Sequence, residues 1–184
     1  NISPNYNIKN IVVVGSFIGV KNHIMLIKTF SKIQKVFTDW TLTIVGDGHL
    51  KKDYEVLLNE NNLNKKVFLP GVTKNIYSYY GNASIFVLSS ISEGLNLSLL
   101  EASSFGLPCI ISNCSESHKQ IIEHNKNGYI YQNSSPQELY DYLFKLMNDH
   151  EKREKFGNYA TQNSYKFSNL RTIKKWNNFL DNGS

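Results

Sequence analysis

The sequence predicts an α/β domain in which a parallel sheet of about six strands carries helices on both faces. Short apolar runs alternate along the chain with longer segments whose apolar residues recur at helical spacing. Several of the runs are continuously apolar, which is typical of strands that are buried on both faces. The chain has 184 residues, of which 41% are hydrophobic, and this suits a single domain with one substantial core.

The elements follow one another in an order that favours a Rossmann-like sheet. Strands are expected at residues 10–14, 40–45, 67–69, 83–88, 109–111 and 129–131. Helices are expected at residues 22–36, 50–61, 97–105 and 170–180, with a short helix around 77–80 and another that begins near Ser135. Ser135, Pro136 and Glu138 form a capping box with proline at the first helical position. Residues 113–118 are expected to form a polar loop, and strands that alternate with helices predict parallel pairing.

The composition argues against several classes of protein. The formal charge of +5 comes from 18 lysines and two arginines that are scattered along the chain, so no nucleic acid is expected as a partner. No apolar run approaches membrane-spanning length, and the first residues lack a signal-peptide pattern. Cys109 and Cys114 supply neither a disulfide framework nor metal-ligand spacing. We therefore expect a soluble cytoplasmic domain with reduced cysteines.

Residues 89–108 join the predicted fourth strand to a helix and are the most informative part of the sequence. Asn96 is a plausible N-cap for a helix that starts at Leu97, and Gly106 and Pro108 end it. Ligands of open parallel sheets bind at the carboxyl ends of strands, and the N–H groups at a helix start suit a phosphate.

Glu93 and Glu101 are separated by seven residues and are expected to face one crevice. A carboxylate can accept hydrogen bonds from both hydroxyls of a sugar diol. The stretch therefore fits a nucleotide sugar, with the helix start at the diphosphate and the two carboxylates at the ribose and the transferred sugar. Alternatively, Glu93 is a solvated loop charge and Glu101 an exposed helix residue.

The turn after the first strand argues against two common nucleotide motifs. Gly15 and Gly19 do not form the dinucleotide fingerprint, and no P-loop lysine pattern is present. Lys21 lies near a helix start, where a cation is slightly unfavourable, and this is mild support for an anion nearby. The alternative for Lys21 is an ordinary solvated lysine.

Glu93–Gly94 and Leu99–Ala102, followed by Gly106–Pro108, resemble the signature of the retaining glycosyltransferases of family 4, also called group 1, roughly EGFxxxLLEAxAxGxPVI. Leu95 replaces the common aromatic residue of that signature. Residues 14–23 resemble the VGR…KN(H/G) element of the same enzymes, with Ser16 at the arginine position. Residues 46–48 match their GDG element, in which we expect Asp47 to cap the following helix, with contact to the donor as the alternative.

Residues 112–128 partly resemble a variant of the family that reads SDCPxGPxEIIExGxNG. Ser117, His118 and Gln120 depart from that pattern. His118 is expected to be a surface residue, with contact to a phosphate as the alternative. Tyr77, Tyr79 and Tyr80 are expected to be packing residues.

The resemblance implies one half of a two-domain GT-B fold. Residues 1–168 would form the carboxyl-terminal, nucleotide-sugar-binding domain, and residues 169–184 a helix that crosses back to a missing N-terminal domain. That domain would hold the acceptor, a glycan or a lipid-linked molecule. The full-length protein would be cytoplasmic, with peripheral association with the inner face of the membrane left open. Trp176 and Phe179 would then lack part of their cover in this chain.

The resemblance also implies roles for individual residues. Glu93 would orient or polarise the transferred sugar, Lys21 would neutralise the diphosphate, and Glu101 would hold the ribose. The remaining expected substrate-binding residues are Gly15, Ser16, Val72, Gly94, Leu95, Asn96 and Leu97. The donor would be a UDP or GDP sugar, with no cofactor and no metal. A GT-B nucleotide-sugar epimerase and a non-catalytic nucleotide-binding domain remain as alternatives.

Overall fold

The computed structural model, which describes residues 4–94 and 96–167, confirms the predicted parallel sheet. Its six strands are β1 Asn10–Val14, β2 Thr41–Val45, β3 Val67–Gly71, β4 Ile85–Leu88, β5 Cys109–Ser112 and β6 Gly128–Tyr131. They pair in the order β3-β2-β1-β4-β5-β6, and each neighbouring pair is parallel. The connections reverse direction between β1 and β4, so the turns that follow these two strands diverge and leave a crevice at their carboxyl ends.

Helices cover both faces of the sheet. They are α1 His23–Ile33, α2 Lys51–Glu60, α3 Ile76–Gly81, α4 Leu97–Phe105, α5 Glu116–Ile121, α6 Pro136–Asn148 and α7 His150–Ser164. Within β1, Ile11 and Val13 belong to the core beneath α1, α2 and α6, whereas Val12 belongs to the core beneath α3, α4 and α5. The alternation follows from the two-residue period of a strand, and it explains why the buried strands read as continuous apolar runs.

The predicted polar loop at residues 113–118 is wrong in its second half, because α5 begins at Glu116. The Ser115 side chain caps α5 by accepting from the N–H of Ser117 at 3.3 Å. A six-residue helix shows too few apolar positions for its periodicity to be recognised.

The predicted capping box at α6 forms only in part. Ser135 Oγ accepts from the N–H of Glu138 at 3.2 Å, as expected. The Glu138 carboxylate does not reach back to the N–H of Ser135 but accepts from the N–H of Gln132 at 2.8 Å. Glu138 therefore fixes the loop that leads out of β6.

Arg153 ties the segment before β1 to the end of α6. Its buried guanidinium donates to the carbonyls of Tyr6, Leu146 and Met147 at 2.6–3.2 Å. The Tyr6 hydroxyl in turn donates to the carbonyl of Gly106 at 2.8 Å. These contacts hold together the end of the domain that lies opposite to the crevice.

The predicted helix at residues 170–180, with Trp176 and Phe179, and the domain boundary at 168/169 lie outside the described residues. In the part of the chain that the structure describes, no helix has both the length and the apolar character needed to cross a membrane.

Candidate functional site

A groove of about 340 Å³ lies at the carboxyl ends of β1 and β2 and beside the corner after β3. Its lining residues are Val14, Gly15, Ser16, Val45, Gly46, Asp47, Val72, Thr73, Ile76 and Glu101. The groove thus brings together four of the sequence-predicted site residues: Gly15, Ser16, Val72 and Glu101. Thr73 and Ile76, which follow Val72 within four residues, were not predicted from the sequence.

The turns after β1 and β2 are locked against each other and form one wall of this groove. The N–H of Gly15 donates to the carbonyl of Val45 at 3.0 Å, and that of Phe17 donates to the carbonyl of Asp47 at 2.8 Å. A Cβ on Gly46 would lie 2.0 Å from the Gly15 carbonyl oxygen, so only glycine allows this approach.

Asp47 does not cap α2, and this expectation was wrong. The N-cap residue is Leu50, with no side-chain hydrogen bond, and Asp47 Oδ1 instead accepts from the N–H of Gly48 at 2.8 Å. The loop is long enough to place the Asp47 carboxylate in the groove wall. The resemblance of residues 46–48 to the GDG element was the sequence signal for this position.

Glu101 reaches the groove from the second turn of α4. Its Oε2 accepts a hydrogen bond from the Tyr80 hydroxyl at 3.0 Å. Tyr80 is fully buried, and burial together with the adjacent Glu101 charge raises the pKa of its phenol. The phenol therefore stays protonated and remains a donor to Glu101 at any physiological pH.

Lys21 and Glu93 form an ion pair, and their side chains are only 18% and 12% exposed. The Ser90 hydroxyl donates to the same Glu93 oxygen at 2.7 Å. Burial opposes ionisation of Glu93, but the hydrogen bonds from Lys21 and Ser90 and the lysine charge outweigh it and lower the pKa of the carboxyl. Glu93 is thus ionised at neutral pH.

This ion pair lies directly beside the turn after β1. Carbons of the Lys21 side chain lie 3.6 Å from the position that a Cβ on Gly15 would take. The Ser89 hydroxyl donates to the carbonyl of Lys21 at 2.7 Å, and the N–H of Ile91 donates to that of Val20 at 2.8 Å. The turns after β1 and β4 are therefore fastened together around Lys21.

The N-terminus of α4 meets the end of β1 at the same place. Asn96 is the N-cap, as predicted, and its side chain accepts from the N–H of Leu99 at 3.0 Å. The Ser98 hydroxyl bridges Asn96 Oδ1 at 2.6 Å and the carbonyl of Val14 at 3.4 Å. The first N–H groups of a helix have no intrahelical acceptor, so those of Leu97 and Ser98 are not used by the hydrogen bonds of α4 itself.

Leu95 lies outside the described residues, and its assignment stays a prediction. The neighbouring Gly94 carbonyl accepts from the Ser117 hydroxyl at 3.1 Å. Through this hydrogen bond, α5 helps to hold the turn after β4 in place.

Two histidines near the site are buried and neutral. His118 is only 1% exposed, which corrects its expected surface position, and its Nδ1 lies 3.7 Å from Cys114 Sγ. Burial lowers the pKa of His118, and burial with the nearby Lys21 charge lowers that of His23 to about 4. His23 packs edge-on against Phe17 beneath the first turn.

Within residues 4–94 and 96–167, no three His, Cys, Asp or Glu side chains are grouped closely enough to hold a metal ion.

Comparison with known proteins matches this chain to one family. The sequence model of the family called Glycosyl transferases group 1 matches residues 3–163. A Haemophilus influenzae protein named as an uncharacterized glycosyltransferase is 31% identical over 173 residues, which are 94% of this chain and 49% of the relative. The amylovoran biosynthesis glycosyltransferase AmsD of Erwinia amylovora is 28% identical over 171 residues, which are 93% of this chain and 48% of AmsD.

Solved structures show the same fold. A mutant of S. aureus TarM crystallised in complex with Fondaparinux, alpha-GlcNAc-glycerol and UDP superposes with a TM-score of 0.86 at 26% identity, covering 92% of this chain and 35% of TarM. The C-terminal domain of LpcC, a group 1 family glycosyl transferase from Francisella tularensis, has a TM-score of 0.80 at 23% identity. That match covers 90% of this chain and 94% of the LpcC domain. The chain spans about half the length of the curated relatives above. It belongs to the group 1 glycosyltransferase family and has the Rossmann-like fold of a GT-B carboxyl-terminal half-domain.

Proposed function

We propose that this chain is the donor-binding domain of a retaining glycosyltransferase that uses a UDP or GDP sugar. The observation that carries the proposal is the meeting of three features at the turn after β1. These are the groove that contains Glu101, the Lys21–Glu93 ion pair and the N-terminus of α4. Together they offer a carboxylate in the groove, and a cation and helix N–H groups beside the turn after β1, at the switch point of the sheet.

The groove fits the nucleoside. Its volume of about 340 Å³ is in the range of small-molecule sites, and Val14, Val45 and Ile76 give it apolar walls for a base. Glu101 stands among these walls and accepts from the ribose diol in this proposal. Val72 is 81% exposed at the β3 corner, where its backbone meets the edge of the base.

The diphosphate extends from the groove across the turn after β1 to Lys21. The first N–H groups of α4 complete its binding site, since the positive end of a helix dipole favours an anion. Ser16, which is exposed in the groove, offers a neutral hydroxyl where the family has arginine. A nucleotide-binding domain without catalytic function is the second candidate, and Ser16 is the observation that favours it.

Lys21 changes partner in this mechanism. Its ammonium is paired with Glu93 in the structure. An incoming diphosphate brings more negative charge than one carboxylate, so Lys21 shifts toward it and leaves Glu93 to orient or polarise the transferred sugar. Negative charge develops on the leaving diphosphate during transfer, and fixed donors at that position stabilise the transition state.

Metal independence is part of the same proposal. Lys21 and the helix N–H groups supply the positive field that a cation would otherwise provide. Addition of EDTA is therefore expected to leave nucleotide binding unchanged, whereas a strict need for Mg²⁺ would contradict this model of the site.

The acceptor, a glycan or lipid-linked molecule, binds a second domain in this proposal. Positioning an acceptor hydroxyl beside the anomeric carbon can supply about 7–11 kcal/mol of the barrier reduction. We therefore expect these 184 residues to bind donor but to transfer no sugar. Transfer by this chain alone to any acceptor would contradict the half-enzyme proposal.

A thermal-shift screen with UDP, GDP and ADP tests donor binding. A ligand at a hundredfold excess over its dissociation constant stabilises the folded state by about 2.7 kcal/mol. For a domain of this size, this raises Tm by roughly 5–10 °C. We expect UDP or GDP to produce such a rise, and no rise with any nucleoside diphosphate at millimolar concentration would overturn the proposal.

A further inference from the structure

Tyr80 is fully buried, yet its hydroxyl touches a residue of the candidate site. We propose that Tyr80 is a positioning residue for nucleoside recognition: it holds one oxygen of Glu101 from inside the protein, so that the other oxygen meets the ribose diol. This inference rests on the proposed function, because it concerns how the same groove selects a ribonucleotide. The sequence had suggested only a packing role for Tyr80.

The hydroxyl of Tyr80 is held firmly in place. The ring lies between Phe86 and Phe105, with centroids 6.3 and 6.1 Å away at inclined angles. The hydroxyl lies 3.0 Å from Glu101 Oε2 and 3.4 Å from the carbonyl oxygen of Ser98, both on α4. A rotation of the phenol would require the core beneath α4 to repack. The Tyr80 hydroxyl therefore donates to the carboxylate from a fixed position.

The hydrogen bond gives the two oxygens of Glu101 different roles in this proposal: Oε2 accepts from Tyr80, and Oε1 meets the ribose. Within the described residues, the side-chain hydrogen bond to this carboxylate goes to Oε2. A glutamate loses rotamer freedom when it binds a ligand, and a carboxylate that is already fixed loses less. Tyr80 therefore raises ribose affinity without touching the ribose.

Other buried tyrosines show that a phenol in this protein does not need such a partner. The hydroxyls of Tyr54 and Tyr131 are buried, and among the described residues neither has a hydrogen-bond partner. Tyr80 differs from them in that its hydroxyl contacts a groove residue. Packing alone would be served equally well by phenylalanine at position 80.

The test compares Tyr80→Phe with the unaltered protein, using UDP and 2′,3′-dideoxy-UDP as paired probes in calorimetry, or the GDP pair if GDP binds better. We expect Tyr80→Phe to weaken UDP binding by about three- to tenfold, since one hydrogen bond to a charged group is lost. Binding of the dideoxy analogue should change little, so the UDP/dideoxy affinity ratio should fall by the same factor. A role in packing alone would lower both affinities and leave the ratio unchanged.

The ratio is measured on one protein sample, so a partly unfolded variant still gives a valid answer. Tyr77→Phe, an exposed phenol on α3, and Tyr131→Phe, a buried one, are matched controls that should keep the original ratio. In a Glu101→Ala background, which leaves no side-chain acceptor for the Tyr80 hydroxyl, Tyr80→Phe should no longer change the ratio, because Tyr80 acts through that carboxylate.

Each outcome is decisive. An unchanged ratio in Tyr80→Phe overturns the positioning role, while UDP binding by the unaltered protein still supports the proposed function. A fall in the ratio that persists in the Glu101→Ala background also overturns it. If the unaltered protein binds no nucleoside diphosphate, the proposed function itself fails.

Discussion

Lys21 and Glu93 lie 72 residues apart in the chain, yet their side chains form a largely buried ion pair at the junction of two turns. Each residue was assigned separately to a part of the donor, the lysine to the diphosphate and the glutamate to the sugar. Within this pair each side chain neutralises the charge of the other. In the proposed mechanism donor binding exchanges these partners, so substitutions of the two residues should have opposite effects on nucleotide affinity.

Glu93→Gln should tighten the binding of UDP. The substitution removes the negative charge that competes with the diphosphate for Lys21, so we expect affinity to rise by about three- to tenfold, or roughly 0.7–1.4 kcal/mol. The difference in affinity between a UDP sugar and UDP should become smaller, because Gln at position 93 contacts the sugar more weakly than Glu93 does. Calorimetry with UDP and several UDP sugars measures both quantities. Weaker binding of UDP to Glu93→Gln would show that Lys21 and Glu93 do not compete.

Glu101→Gln should weaken nucleotide binding. Gln keeps the shape of the side chain but loses a charge-assisted acceptor, so the expected loss is about 1.5–3 kcal/mol, with little change in fold stability. Glu154→Gln, on an exposed part of α7 away from the groove, is the control. If the two variants bind UDP with equal affinity, Glu101 does not hold the ribose.

Ser16→Arg should strengthen diphosphate binding. The position is exposed in the groove next to Gly15, so an arginine has room there and adds a bidentate donor. We expect a five- to twentyfold gain in UDP affinity that declines with added salt, as an exposed charge contact should. No gain, with the fold intact, would show that the diphosphate does not cross this turn.

Stability should fall as the pH drops from 6.5 toward 4, and His23 is one cause. Burial and the Lys21 charge lower the pKa of His23 to about 4, whereas in the unfolded chain it is near 6.5. Between these values the unfolded state binds more protons, so the free energy of unfolding decreases by up to about 3 kcal/mol and then levels off below pH 4. Urea denaturation at several pH values measures this loss. His23→Gln should flatten the profile, while His49→Gln, at an exposed loop position, should not.

The sequence predicted the sheet well because the signal for each strand is local. Continuous apolar runs such as Ile11–Val13 are buried from both sides, and the turns that end them carry glycine or serine. The Asn96 cap was equally visible, since its preference depends on the next three residues alone.

The contacts that were missed depend on residues far apart in the chain. Nothing local to Tyr80 shows that its hydroxyl meets Glu101, because that contact requires α3 and α4 to pack on the same face. The Lys21–Glu93 pair likewise requires β1 and β4 to be neighbours in the sheet. His118 looked exposed because its sequence neighbours are polar, although α5 turns this one side chain inward.

Arg153 defines how short this domain can be made. A protein that began at Asn10 would keep all six strands and the groove, but it would lack the Tyr6 carbonyl to which the guanidinium donates twice. The arginine would then lose both hydrogen bonds to that carbonyl, at a cost of about 1.5–3 kcal/mol, while it keeps its contacts with Trp40 and the end of α6. The minimal folding unit therefore starts before its first strand, and a truncation placed at that strand would lose stability at the edge most distant from the ligand.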